Sequence, residues 1–380
     1  MLHVQCPGGN EQTEDRLRPE TVSVPVLEEL GFYALAGHPA SSRAIVQEIS
    51  NGEAMGLGHA FISERYDRKE AATLCGAAGA VSERITIQTA ATNHNTRHPM
   101  VTAGFALTMQ SLTGGRFVLG LGRGVPMAQD AYGIPRITTA QLEDFVGLMR
   151  RLFRGEAIVG HDGPAGSWPV LFLDDRLDEY LPTSIVAFGP ETLKLGGRCF
   201  DHVVLHTYFT DETTARCVQT VKEAAAKARR DPASVKVWSC FATIGDHIPE
   251  DLRLMKTVGR LATYLQGYGE LLVRTNGWDL DVLTRFLTDP VVRSSRGLDV
   301  VGTTEQLEHV ATLIPDEWFA ASATGSPEQC VTAIRNQFDL GCDGVIMHGA
   351  SPDELAPVVT AYRASGELSD QSGTSYEVGN

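Results

Sequence analysis

Hydrophobic positions along this chain come in two alternating patterns. Short runs rich in β-branched residues are followed by longer stretches with apolar residues every three or four positions, as strands interleaved with helices require. The stretch from Arg84 to Gly124 shows the unit most clearly. Ile85-Thr86-Ile87-Gln88-Thr89 reads as a strand. Pro99 suits the first turn of a helix, where its missing N–H costs nothing. Met100, Val101, Phe105, Leu107, Met109 and Leu112 give that helix a broad apolar surface. Gly114-Gly115 stops it, and Phe117-Val118-Leu119 starts a second strand. Parallel strands need such a crossover, so the stretch predicts one βαβ unit.

The same alternation runs through most of the chain. Further strands are predicted at Gly31–Gly37, Gly58–Ser63, Ser184–Phe188, His202–His206, Val235–Ile244 and Asp343–His348. Helices are predicted from Ser41 or Ser42 as cap to about Met55, over Arg68–Val81, Thr138–Arg154 and Asp211–Arg230, and after a capping box at Ser326-Pro327-Glu328-Gln329. Pro352–Ala364 reads as the last helix. Residues 156–182 carry Gly160, Gly163, Pro164, Gly166, Pro169 and Pro182, which predict a hairpin or loop insertion; residues 250–315 are helical in pattern but too long for one crossover. Eight strands alternating with helices predict an α/β fold, a (β/α)8 TIM barrel with insertions after strand 4 and between strands 7 and 8. An open doubly wound sheet is the other arrangement this alternation permits. The expected organisation is a flexible lead-in at 1–24, a single barrel domain at 25–364 and a flexible tail at 365–380.

In a barrel, polar residues gathered at strand C-termini mark the site. The predicted ends carry His38, Glu64-Arg65, Thr92-Asn93-His94, Arg123-Gly124, Phe188-Gly189, His206-Thr207 and His348. Composition narrows the partners. A formal charge of −15 argues against nucleic acid and anionic membranes. Seven scattered cysteines, an odd number with no Cys-x-x-Cys pair, fit reduced thiols in the cytoplasm. No apolar run approaches a membrane span. The expected partner is a small organic substrate, and the expected assembly a homodimer.

Common motifs are missing. There is no phosphate-binding Gly-x-x-x-x-Gly-Lys-Ser/Thr loop and no His-Glu-x-x-His. Gly120-Leu121-Gly122 is followed by Val125 where a dinucleotide fingerprint has glycine. His202 and His206 stand four apart, but on a strand, so no metal site is expected. Phe188-Gly189-Pro190-Glu191-Thr192 ends a strand in glycine at a helix start. There backbone N–H groups and the positive dipole end could receive a phosphate; an ordinary strand-to-helix turn reads equally well.

Thr113-Gly114-Gly115-Arg116-Phe117-Val118-Leu119-Gly120-Leu121-Gly122-Arg123-Gly124 resembles the signature of the bacterial luciferase-like family. Thr96-Arg97-His98-Pro99, Ala187-Phe188-Gly189-Pro190 and Gly341-Cys342-Asp343-Gly344-Val345 are similar to further segments of it, so the resemblance spans about Gly31 to Ala364. It implies a (β/α)8 barrel that uses FMN or the deazaflavin coenzyme F420, and within the family the chain looks most like the F420-dependent oxidoreductases. By that resemblance Glu64 is an acidic position holding the deazaflavin, and Thr89-Ala90 is the bulge with a non-proline cis peptide behind its ring. Thr92, Arg123 and Gly124 are cofactor contacts, and Phe188, Gly189, Glu191 and Thr192 are the phosphate end. The sugar-phosphate dehydrogenases of the family have histidine where Arg65 stands and a catalytic glutamate where Val125 stands, while His206 and Phe209 replace sugar-phosphate positions. The resemblance thus implies hydride transfer between F420 and an organic substrate other than glucose 6-phosphate. His38, Glu64, Arg65, His206 and His348 are the candidate proton donors or charge stabilisers. An FMN-dependent monooxygenase and a non-catalytic deazaflavin-binding barrel are the alternatives.

Overall fold

The computed structural model describes residues 24–36, 41–66, 68–174, 177, 179–295 and 297–372. Eight parallel strands close on themselves: β1 Leu27–Tyr33, β2 Leu57–Ile62, β3 Thr86–Thr89, β4 Phe117–Leu121, β5 Thr183–Val186, β6 His202–Val204, β7 Lys236–Gly245 and β8 Gly344–His348. Each pairs with its sequence neighbour, and β8 returns to β1 with Leu30 beside Val345 and Phe32 beside Met347. This is the (β/α)8 barrel, with both insertions. The first is an antiparallel hairpin of Ile158–Gly163 and Gly166–Leu171. The second runs through several helices from Glu250 to Phe319, including a π-helical turn at Met255–Gly259 and the helix Arg260–Asn276.

Packing follows the two periodicities. Helix Thr139–Phe153 buries Leu142, Phe145, Val146, Leu148, Met149 and Leu152 against the barrel, and Thr138 caps it in a capping box with Gln141. Ser326 and Gln329 form the expected box on helix Pro327–Asp339. Helix Pro99–Thr113 departs from its apolar reading. Val101 and Leu112 are exposed, and Thr102, Ala103, Ala106 and Gln110 face inward with Leu107 and Met109. The sheet there is approached closely, and small residues fit better than branched ones. Neither Ser41 nor Ser42 caps the first helix, Ala44–Ala54, which starts at Arg43 without a side-chain cap. The last helix runs Pro352–Ser372, past the expected start of the tail at Ser365. The predicted lead-in, apart from Val24, and residues 373–380 lie outside the described residues. Among the described residues no helix is long and apolar enough to cross a membrane.

Inside the barrel, aromatic rings fill the lumen. Phe61 packs on Trp238 at 5.2 Å, and His59 on Trp238 at 4.5 Å. These rings pack the middle of the barrel, and the general rule for the fold places the site at the strand C-termini.

Candidate functional site

Strand β3 ends in an irregular bulge, and the peptide bond Ala90–Ala91 is cis, one residue beyond the expected Thr89-Ala90 bond. Its neighbours hold every turn of this segment. Ala90 N–H donates to Ile62 O (2.7 Å), and Ala91 O accepts from Glu64 N–H (3.1 Å). Thr92 N–H donates to Gly120 O, and its carbonyl accepts from Gly122 N–H, both at 2.9 Å. From β1, the Tyr33 hydroxyl donates to Ala90 O. Thr89 is fully buried, and its hydroxyl both accepts from Gly120 N–H (2.7 Å) and donates to Gly120 O (2.8 Å). Thr89 is therefore part of the wall. Gly120 has to be glycine, because a Cβ there would sit 1.6 Å from Thr89 O.

Beside the bulge lies a cleft of about 480 Å³ lined by Glu64, Tyr66, Arg68, Lys69, Glu70, Thr96 and Arg97. The Glu64 side chain, only 5 % exposed, pairs with Arg97 Nη2 at 2.8 Å. Thr92 Oγ1 accepts from Arg97 and donates to Glu64 (3.2 Å), and Ala71 N–H donates to the other Glu64 oxygen. Arg97 also reaches Glu70, the N-cap of helix Ala71–Ala80. Arg65 is exposed at the rim, its backbone N–H bonded to Lys69 O. Lys69 points back toward β1, donating to Ala34 O at 3.3 Å; burial, then Arg65, pushes its ammonium down to about 8.

Across the mouth, Phe188, His206, Phe209, Tyr264 and Tyr268 form an aromatic wall. Phe188 and His206 lie 4.5 Å apart, and Tyr268 is 5.0 Å from His206 and 5.9 Å from Phe188. Tyr268 joins because the insertion helix kinks there (φ −155°, ψ 35°). His206 Nδ1 lies 2.9 Å from Thr207 O. A carbonyl only accepts, so this nitrogen carries the proton and Nε2 is bare. Burial pushes His206 down to about 4, so the ring is neutral near pH 7. His348, edge-on to Tyr33 at 5.1 Å, has a buried Nδ1 with no partner among the described residues. Burial, and then Arg260, hold it well below the usual histidine range.

At the β5 end, Gly189 is the N-cap of helix Pro190–Cys199 and supplies no side-chain cap. Its φ of −92° is ordinary extended backbone, and a Cβ there would meet nothing within 4 Å. Thr192 is buried, while Glu191 is exposed and bound to Lys194 at 2.7 Å. Arg123 donates through Nε to Ile137 O, and Gly124 has φ +74°. Glu64, Thr92, Arg65 and the β3 bulge thus share one side of the mouth, and Phe188 and His206 share the other. His38 lies outside the described residues. Arg97 was marked only as part of a family-like segment, and Tyr33, Lys69, Arg260, Tyr264 and Tyr268 were not singled out as site residues from the sequence. The spacing of 260, 264 and 268 on a helix is the one signal that could have found the last three.

The chain is similar to known proteins over about three quarters of its length or more. It is 26% identical over 293 residues to the F420-dependent glucose-6-phosphate dehydrogenase of Beutenbergia cavernae, covering 74% of this chain and 77% of that one. It is 23% identical over 303 residues to 5,10-methylenetetrahydromethanopterin reductase of Methanolobus tindarius, covering 77% and 86%. The structure of the coenzyme F420 dependent tetrahydromethanopterin reductase from Methanopyrus kandleri superposes with a TM-score of 0.75 at 18% identity, over 90% of this chain and 99% of that one. The sequence profile of the luciferase-like monooxygenases matches residues 28–344, and the protein is an enzyme that belongs to this family.

Proposed function

We propose that this enzyme uses coenzyme F420 to move a hydride to or from a small organic molecule. The carrying observation is the β3 bulge, held between β2, β4 and the Tyr33 hydroxyl, with an uncapped and sterically open helix start at Gly189 two strands away. A flat ring with a phosphate-bearing tail suits both features: a rigid backbone platform and a helix start whose dipole and Glu191 N–H face open space, the Thr192 and Leu193 N–H groups donating to Gly189 O. The sequence likeness to enzymes named for F420 supports that cofactor over FMN. When bound, the deazaflavin supplies the hydride chemistry.

The chain's own residues do the rest. Glu64, Thr92, Arg123 and Gly124 would hold the cofactor beside the bulge, and Phe188, Gly189, Glu191 and Thr192 its phosphate end. Arg97 keeps the Glu64 carboxylate oriented through the direct pair and through Thr92. The aromatic wall excludes water from the space at the strand C-termini. His206 and His348, both neutral, are placed to exchange a proton at the reacting carbon's oxygen or nitrogen; Arg65 at the rim, Glu64 and His38 remain the other groups proposed to do so. The test is to purify the protein from a host that makes both cofactors and record its spectrum. A deazaflavin absorbance band supports the reading, and an FMN band overturns it.

A further inference from the structure

Two cations converge on the barrel mouth where the cofactor reading needs none. Arg260 opens the insertion helix directly after the π-helical turn, and such turns often mark functional sites. It is 6 % exposed, forms an ion pair with Asp299 at 2.9 Å through Nη1, and its Nε has no hydrogen-bond partner among the described residues. An arginine carries a second planar edge, Nε with Nη2, that fits a carboxylate in two parallel bonds. Asp299 sits at Nη1 and leaves Nε bare. Lys69 approaches the same place from the β2 side, and no carboxylate lies within ion-pairing distance of it among the described residues. Its side chain has one long hydrogen bond, to Ala34 O at 3.3 Å.

His348 lies between the two: it ends β8 beside β1, edge-on to Tyr33 at 5.1 Å and next to the Ala34 turn that Lys69 reaches, and its own Nδ1 has no partner among the described residues. Arg65 stands close to Lys69, and Glu48 is the acidic group facing it; burial raises Glu48 above the usual carboxylate range, and it already accepts from Leu35 N–H at 2.7 Å. Buried donors left without partners cost stability, and retained ones point to a ligand that completes them. In a chain with a formal charge of −15, such a cationic patch concentrates an anion rather than a neutral molecule. The walls are aromatic: Tyr33, Tyr264 and Tyr268.

Resting on the F420 reading for its place in the reaction, we infer that the substrate is an organic acid. Its carboxylate docks on the Nε edge of Arg260 with Lys69 alongside, and its apolar body lies on the tyrosine wall. His348 then stands next to the bound acid as a hydrogen-bonding group.

The probe pair is 3-phenylpropanoate and its neutral isostere 3-phenylpropanamide, titrated by calorimetry into the purified protein, with F420 affinity measured separately on the same preparations. The acid should bind at least about tenfold more tightly than the amide, the difference that one charge-assisted contact supplies. Lys69→Met should erase most of that preference in a protein that still binds F420. Arg260→Met removes the ion pair with Asp299, so Arg260→Met/Asp299→Asn is the paired variant; a normal melting transition with lost acid preference supports the assignment. Equal binding of acid and amide, no acid binding up to about 10 mM, or full acid preference in folded Lys69→Met and paired variants overturns it. Discrimination retained in a protein that does not bind F420 upholds the anion site and overturns the cofactor reading instead.

Discussion

The carboxylate of Glu64 and the guanidinium of Arg97 meet at 2.8 Å beneath the mouth of the barrel, joined by the hydroxyl of Thr92 between them. Glu64 comes from the end of β2, and Arg97 from the loop that leaves the β3 bulge. The pair therefore ties two adjacent βα loops at the place where the cofactor is proposed to sit. Removing one partner leaves the other charge buried, which costs more than the pair itself contributes. Arg97→Ala should lower stability by about 3 kcal/mol and weaken F420 binding by at least about tenfold. Glu64→Gln, which keeps an acceptor for Thr92, should cost less in stability yet still weaken binding. Urea unfolding and fluorescence titration check both. Equal F420 affinity in all three proteins would show that the pair serves only the fold.

Acid should destabilise the protein earlier than its carboxylates alone would. Burial holds five histidines below their ordinary value of 6.5: His94, His202 and His206 at about 4, His59 at about 3, and His348 well below it. The unfolded chain then takes up protons that the folded one refuses, so stability is full above about pH 6.5 and falls as pH drops toward 4. Paired carboxylates with lowered values, such as Glu70 and Asp201, begin to lose their contribution only below the ordinary carboxylate range. The urea midpoint should fall steadily from pH 7 to pH 5, and His206→Phe should make that fall shallower. A flat midpoint over this range would contradict neutral buried histidines.

Cofactor choice gives a direct comparison. The purified protein should bind F420 more tightly than FMN, followed by quenching of tryptophan fluorescence. Trp238 reports from the middle of the barrel, packed against Phe61 and His59. Micromolar FMN binding with no response to F420 would reverse the assignment.

Glucose 6-phosphate should not reduce bound F420. Val125, 42 % exposed at the start of the helix Pro126–Tyr132, and Arg65, exposed at the rim, stand where the family resemblance implies the proton-transfer residues of a sugar-phosphate dehydrogenase. General acid–base catalysis contributes about 10²–10⁴-fold, so loss of both groups should leave negligible turnover. Steady bleaching of the deazaflavin band by this sugar would refute the expectation.

The barrel was legible because its signal is local. Period-two runs such as Ile85–Thr89 and the apolar stripe of Leu142, Phe145 and Met149 each report a face that must be buried, and the alternation alone implies parallel strands. The polar strand ends were legible too, because a closed barrel puts them in one place. What the chain hid depends on tertiary contact. Nothing near Thr89 shows that its hydroxyl is consumed by Gly120, thirty-one positions on. Arg260, Tyr264 and Tyr268 read as an ordinary helix face until the π turn and the kink at Tyr268 aim them at His206 and His348. Ser41 looks like a cap, yet its hydroxyl accepts from Arg43 N–H just ahead of the helix Ala44–Ala54, not from a first-turn N–H within it.

Gly189 allows the phosphate end to be tested without disturbing the barrel. Its backbone is extended, so no left-handed strain is released or created by a side chain there, and a Cβ meets nothing within 4 Å. A valine can therefore be accommodated by the protein, and Gly189→Val should leave the thermal midpoint of the cofactor-free protein nearly unchanged. The same open space is what a phosphate would need in order to reach the Glu191 N–H in the first turn of helix Pro190–Cys199, which has no side-chain cap and whose Thr192 and Leu193 N–H groups already donate to Gly189 O at 3.1 Å. Two added methyl groups would fill it. Contacts to a charged group are worth about 1.5–3 kcal/mol each, so F420 affinity should fall by about tenfold or more. Calorimetry with F420, and with inorganic phosphate as the fragment, separates the tail from the ring: both should weaken together. An unchanged dissociation constant for F420 would make this an ordinary strand-to-helix turn, with Pro190 in its usual place at the first helical position.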